Sequence, residues 1–289
     1  MKRILILGSK GMAGHVVTMY LQNRGSYIVG QVSRSDSETI YSYNIDATEI
    51  NELDRVIDKF SPDILINCLG ILNKDAEENP DKAILINSYI PHYLAKKTAL
   101  VGGRLIHIST DCVFSGNKGN YLESDIKDGV GFYAQSKALG EVDYGNNLTI
   151  RTSIVGPELK ESGIGLFHWF LTNKETEIKG YANAFWGGVT TIQLAKAIHK
   201  AIDNANIRGL VHLSNGRKIS KYDLINIFNS AFNKKKNIQK DFNYHVDKSL
   251  ATGKQTSLLG LVPGYEVMVD EMKSWMEDNR NLYSHNYTF

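Results

Sequence analysis

Apolar residues in the first half of the chain fall into two alternating patterns. Continuous runs over 4–7, 27–32, 64–68, 104–109 and 148–152 are rich in isoleucine, valine and leucine and predict strands. Between them, stretches over 13–24, 50–60, 82–100 and 133–142 place apolar residues at helical spacing. Run 64–68 is apolar on both faces, which belongs to a strand covered by helices above and below. Strand, helix, strand in repetition predicts an α/β fold with a doubly wound parallel sheet, because right-handed crossovers between parallel strands need an intervening helix.

After Thr152 the rhythm loosens. Residues 155–186 carry glycines, aromatics and charges without a clear period, yet 191–202 is again helical and 210–213 strand-like. A smaller, discontinuous C-terminal lobe accounts for this. The sheet domain takes 1–155 and about 187–214; the second lobe takes about 156–186 and 215–289, with helices over 221–232 and 265–278. No internal repeat is present.

With 289 residues the chain exceeds the ~150 of an average domain, which suits this bipartite reading. Lysine plus arginine (33) nearly balances aspartate plus glutamate (31), with no basic block beyond Lys234, Lys235 and Lys236. No nucleic-acid partner is expected. No apolar run reaches 18 residues and the first one is too short for a signal-peptide core, so the expectation is a cytoplasmic protein without a membrane partner. Cys68 and Cys112 make neither a disulfide framework nor a zinc site; both read as small buried residues, and no metal site is expected.

Gly8, Gly11 and Gly14 form GxxGxxG between the first strand and the first helix. Glycine there permits a tight turn, lets backbone approach a pyrophosphate, and lets helix pack closely on strand; the helix start supplies free N–H groups. A plain β-to-α turn is the blander reading. The spacing is wider than GxGxxG and resembles that of the short-chain dehydrogenase/reductase superfamily, whose fold is the Rossmann sheet. Lys10 and Met12 in the loop, with Leu69 and Gly70 after strand 64–68, join the candidate cofactor contacts. The second strand ends in Ser33 and Arg34 where a ribose-binding carboxylate would stand. A hydroxyl and a guanidinium suit a 2′-phosphate, and Lys10 adds a cation, so NADPH is favoured over NADH. Asp36 is the residue that would reverse this preference, and Arg34 could equally be an ordinary solvated arginine.

Three Tyr-x-x-x-Lys pairs occur: Tyr93 with Lys97, Tyr133 with Lys137, and Tyr244 with Lys248. Only Tyr133 opens a helix after the strand that runs into Ser109, Thr110 and Asp111. Reducing a ketone needs a hydride at carbon and a proton at the developing alkoxide. Lys137, one turn along, is expected to stabilise the Tyr133 phenolate and to anchor the nicotinamide ribose. Bringing a phenol from about 10 to about 7 takes about 4 kcal/mol of differential stabilisation. Thr110 is expected to aim its hydroxyl at the substrate carbonyl oxygen.

The segment STDCVFSGNKGNYLESDIKDGVGFYAQSKALGE, from Ser109 to Glu141, resembles the STDYVFDG, YxExD and YGxSKxxGE segments of the dTDP-4-dehydrorhamnose reductase family. ILINCLG from Ile64, EENP from Glu77, Asn87, and IRT from Ile150 extend the likeness. The resemblance implies an NAD(P)H-dependent reductase acting on the 4-keto group of a nucleotide-diphosphate 4-keto-6-deoxyhexose, in surface polysaccharide synthesis. It also implies adenine contact by Asp46. Cys112, Ser115, Ala134 and the GVGF before Tyr133 depart from the family pattern without removing a proton donor, a charge stabiliser or a nucleotide ligand. Asp111, Arg151 and Trp186 are the substrate-contact candidates. Structural roles stay open for all three: turn cap, strand-end cation and core aromatic. Tyr181 and Phe185 are weaker candidates, and His107 reads as a packed strand residue. Two other functions stay open, a nucleotide-sugar epimerase with tightly held NAD and a non-catalytic dinucleotide-binding regulatory subunit. Superfamily analogy adds a homodimer.

Overall fold

The structure is a computed structural model that describes residues 1–35, 40–254 and 258–287; Asp36 lies outside the described residues. Seven parallel strands form the central sheet in the order Gly209–His212, Leu148–Thr152, Arg104–Thr110, Ile64–Asn67, Lys2–Leu7, Tyr27–Ser33, Ser42–Asn44. From Lys2–Leu7 the chain winds outward one way to Ser42–Asn44. It then crosses back to Ile64–Asn67 and winds the other way. The reversal leaves a crevice at the carboxyl ends of Lys2–Leu7 and Ile64–Asn67, the position at which doubly wound sheets bind ligands.

Both sheet faces are dry. Side chains alternate along a strand, so Ile4 and Ile6 meet Val16, Val17 and Leu21 of the helix Met12–Asn23 and Ile198 of Thr191–Asp203. Leu5 and Leu7 face the other way, against Leu53, Ile57 and Phe60 of Ile50–Phe60 and Leu94 of Ile90–Leu100. This two-sided burial is why the strands read as unbroken apolar runs.

The helix expected over 82–100 is three segments: Pro80–Ala83, a π-helical Ile84–Tyr89, and Ile90–Leu100. Pro91 lacks an N–H and its ring crowds the preceding turn. The ladder widens there, and the Ile90 N–H bonds the carbonyl of Leu85. The helix expected over 133–142 is shorter, Phe132–Leu139. Residues 155–186 hold order that no periodicity announced: a helix Leu166–Thr172 and strands Glu177–Tyr181 and Ala184–Trp186. The helix Tyr265–Asp278 buries Met268, Val269, Met272 and Met276 in the same core as Ile198. Among the described residues no helix is long and apolar enough to cross a membrane.

Candidate active site

The glycine loop is shaped by three distinct constraints. Gly8 has φ +74°, a left-handed conformation that its missing Cβ permits, and its N–H bonds Val32 O at 3.0 Å. Gly11 N–H bonds Gly8 O at 2.9 Å and closes the turn. A Cβ on Gly14 would lie 2.1 Å from Gly8 O, so only glycine lets the helix seat against the loop. Gly14 therefore acts through packing, while Lys10, Gly11 and Met12 face the crevice.

Two cavities meet over this loop and share Lys10, Gly11, Cys68, Leu69, Gly70 and Lys160 as walls. The first, about 730 Å³, extends over Gly8, Ser33, Arg34 and Asp46. The second, about 430 Å³, extends over Met12, Thr110, Asp111, Tyr133 and Lys137. The arrangement fits a dinucleotide. Bare backbone lies at the loop, cations stand at one end, and proton-transfer groups stand at the other. Arg34 is 73% exposed with its guanidinium 3.9 Å from Asp46 Oδ2. Asp46 Oδ1 accepts from Thr48 N–H at 3.0 Å and from its hydroxyl at 2.9 Å, and the backbone bond foremost holds this carboxyl below the usual range.

At the opposite end Thr110 Oγ1 donates to Asp111 Oδ1 at 3.2 Å and accepts from Cys112 N–H at 3.1 Å, which fixes its rotamer. Asp111 is 5% exposed, and burial raises its carboxyl against the pull of Lys248. Lys137 is 4% exposed, donates from Nζ to Ile108 O at 2.8 Å, and lies 3.4 Å from His107 Nε2. Burial lowers it to about 8. His107 is fully buried beside Asn67 and held neutral by burial. Burial also pushes the Cys68 and Cys112 thiols up, to about 12 and about 11, so neither is a thiolate at neutral pH.

Tyr133 corrects the expected sign. Its phenol is raised above the ordinary value, chiefly by burial, with Cys112 and Asp111 adding to it and the Thr110 hydroxyl opposing. Lys137, whose ammonium donates to Ile108 O at 2.8 Å, is not among the groups that shift it.

Two of the three substrate candidates are also placed elsewhere. Arg151 is 1% exposed; Nε and Nη2 grip Glu141 at 2.8 and 2.6 Å, Nη1 meets His212 at 2.8 Å, and the side chain walls neither cavity. Trp186 is a core residue packed on Tyr265, and its Nε1 donates to Ser153 Oγ, a cavity-wall group, at 2.8 Å. Tyr181 packs at a tilt against Tyr244, and Phe185 lies under Lys218, outside both cavities.

Two further residues support the catalytic helix without a local signal in the sequence. Glu77 accepts from Tyr133 N–H at 3.2 Å and caps the helix that carries the phenol. Asn87 bridges Ile71, through both its N–H and carbonyl, to Ser136 Oγ. Their partners are distant in sequence, so only the family likeness points to either residue.

The profile of the RmlD substrate binding domain matches residues 1–246. The chain belongs to this family. It is a dTDP-4-dehydrorhamnose reductase-like group that binds nicotinamide dinucleotides. Among relatives of the RmlD type, dTDP-4-dehydrorhamnose reductase of Aggregatibacter actinomycetemcomitans is 33% identical over 143 residues, 49% of this chain and 46% of that one. Methionine adenosyltransferase 2 subunit beta of Bos taurus is 28% identical over 247 residues, 80% of this chain and 72% of that one. The structure of dTDP-4-dehydrorhamnose reductase from Bacillus anthracis in complex with NADP aligns with TM-score 0.81 at 24% identity, over 95% of this chain and 99% of that one. At that identity it speaks for the fold.

Proposed function

We propose that this protein uses NADPH, in preference to NADH, to reduce the 4-keto group of a nucleotide-diphosphate 4-keto-6-deoxyhexose for surface polysaccharide synthesis. One observation carries the reading: Thr110, Tyr133 and Lys137 wall the same cavity as the glycine loop, and that cavity continues to Arg34. Arg34 and Ser33 would meet the 2′-phosphate, Gly11 and Met12 the pyrophosphate, and Lys137 the nicotinamide ribose. Bound NADPH would supply the hydride. The protein's own part is protonic. Burial keeps the Tyr133 phenol protonated, the form a proton donor to a developing alkoxide requires, and the fixed Thr110 hydroxyl shares the charge on that oxygen. Asp111 stands beside Thr110 as a hydrogen-bonding group for a sugar hydroxyl.

The test mixes purified protein with NADPH and dTDP-4-dehydrorhamnose, or a UDP-linked 4-keto sugar, and follows loss of absorbance from the reduced cofactor. Absence of oxidation with every such sugar counts against the reading. The likeness to methionine adenosyltransferase 2 subunit beta supports a second reading, a dinucleotide-binding regulatory subunit. It predicts NADPH binding without turnover on any of these sugars.

A further inference from the structure

The rim of the cleft is gripped by the far end of the chain. His285 Nε2 donates to Leu159 O at 2.8 Å, Asn286 Nδ2 donates to Glu158 O at 2.8 Å, and Tyr287 Oη accepts from Glu158 N–H at 2.9 Å. His168 completes the grip. Its Nε2 lies 3.2 Å from Glu161 O, a carbonyl that can only accept, so the proton sits on Nε2 and Nδ1 accepts from Tyr287 Oη at 2.8 Å. Glu158 braces the turn by accepting Gly165 N–H at 2.7 Å. A Cβ on Gly165 would come 3.5 Å from Met12 Sδ, so this segment packs on the glycine loop. Between the gripped residues and that contact stands exposed Lys160, which walls both cavities together with Lys10.

We infer that residues 158–165 form a strap across the cofactor cleft, that Lys160 binds the phosphates of the dinucleotide alongside the glycine loop, and that Tyr287 is the positioning residue holding the strap in place. The inference rests on the cofactor reading above and adds a contact outside the glycine motif. Lys160 supplies the charge; Tyr287 keeps its backbone where that charge reaches the shared wall of the two cavities.

NADPH is titrated into wild-type protein, Lys160→Ala, Tyr287→Phe and the double variant at low salt, followed by tryptophan fluorescence, with melting curves for each. Loss of one charge-assisted phosphate contact is expected to weaken NADPH binding about tenfold in Lys160→Ala, with recovery in Lys160→Arg. Tyr287→Phe keeps the buried ring and should weaken binding several-fold with kcat at saturating NADPH retained. It should do little in the Lys160→Ala background, because it acts through Lys160. Should Tyr287→Phe not fold, Asn286→Ala at its half-buried position takes its place in the same cycle. Wild-type affinity in Lys160→Ala, or an equal Tyr287→Phe penalty in both backgrounds, overturns the strap alone. Wild-type protein that does not bind NADPH overturns the cofactor reading and the strap with it.

Discussion

Replacing Lys137 by methionine should abolish turnover and leave the protein as stable as before or more so at pH 7. Methionine matches the lysine stem in length and suits the buried site. Burial lowers the ammonium from 10.5 to about 8, which at about 1.4 kcal/mol per pH unit makes the charged form cost about 3 kcal/mol in the folded state. Against this, the variant loses the 2.8 Å bond to Ile108 O, and an orphaned carbonyl costs about 1–3 kcal/mol. The net is a gain of about 0–2 kcal/mol. The pH dependence fixes the sign. Between about 8 and 10.5 the unfolded lysine is protonated and the folded one is not, so wild-type stability rises with pH across that window. The variant has no such rise, and its advantage should fall by about 2–3 kcal/mol from pH 7 to pH 10. Urea unfolding of both proteins at both pH values measures this, since other titrating groups cancel in the difference. A variant less stable than wild type by more than about 1 kcal/mol at pH 7, or a difference that is flat with pH, would refute the burial argument.

Three further outcomes follow from the site. Tyr133→Phe removes the proton donor and should stop sugar reduction while NADPH affinity stays within about twofold; unchanged turnover would place the proton source elsewhere. Arg34→Ala should raise the dissociation constant for NADPH about tenfold and leave that for NADH nearly unchanged, as read from paired titrations, because only one cofactor carries a 2′-phosphate. Glu141→Gln strips the charge that faces Arg151 in a dry pocket and should cost about 3–5 kcal/mol in chemical denaturation; a loss below about 1 kcal/mol would mean that Arg151 is compensated by other groups.

The parts of this protein that could be read from its sequence are those whose physics is local. Continuous apolar strands, a glycine that must adopt a positive φ, and a helix opening at Phe132 and Tyr133 each leave a mark within a few residues. The other two Tyr-x-x-x-Lys pairs show what placement along the elements can discriminate. Tyr93 and Lys97 bind Asp54 and Asp58 on a neighbouring helix, and Tyr244 packs at a tilt against Tyr181 away from both cavities. What stayed illegible depends on partners far apart in the chain. Arg151 looks like a free strand-end cation until Glu141 and His212 close on it, and Trp186 looks like a stacking platform until Tyr265 covers it.

The acidity of Tyr133 is the clearest case, because the spacing of the pair is local and its electrostatics are not. Helical spacing brings Lys137 near the phenol, but it does not say where the ammonium points. The carbonyl of Ile108 decides that, and it belongs to the neighbouring strand Arg104–Thr110. With the charge drawn to that carbonyl, desolvation outweighs attraction and the phenol stays protonated. In the proposed reduction the proton must be on Tyr133 Oη when the carbonyl oxygen gains charge, and a phenol raised by burial holds it there. Local spacing thus pairs the two side chains, while the strand beside them and the burial of the pocket set the protonation of the phenol.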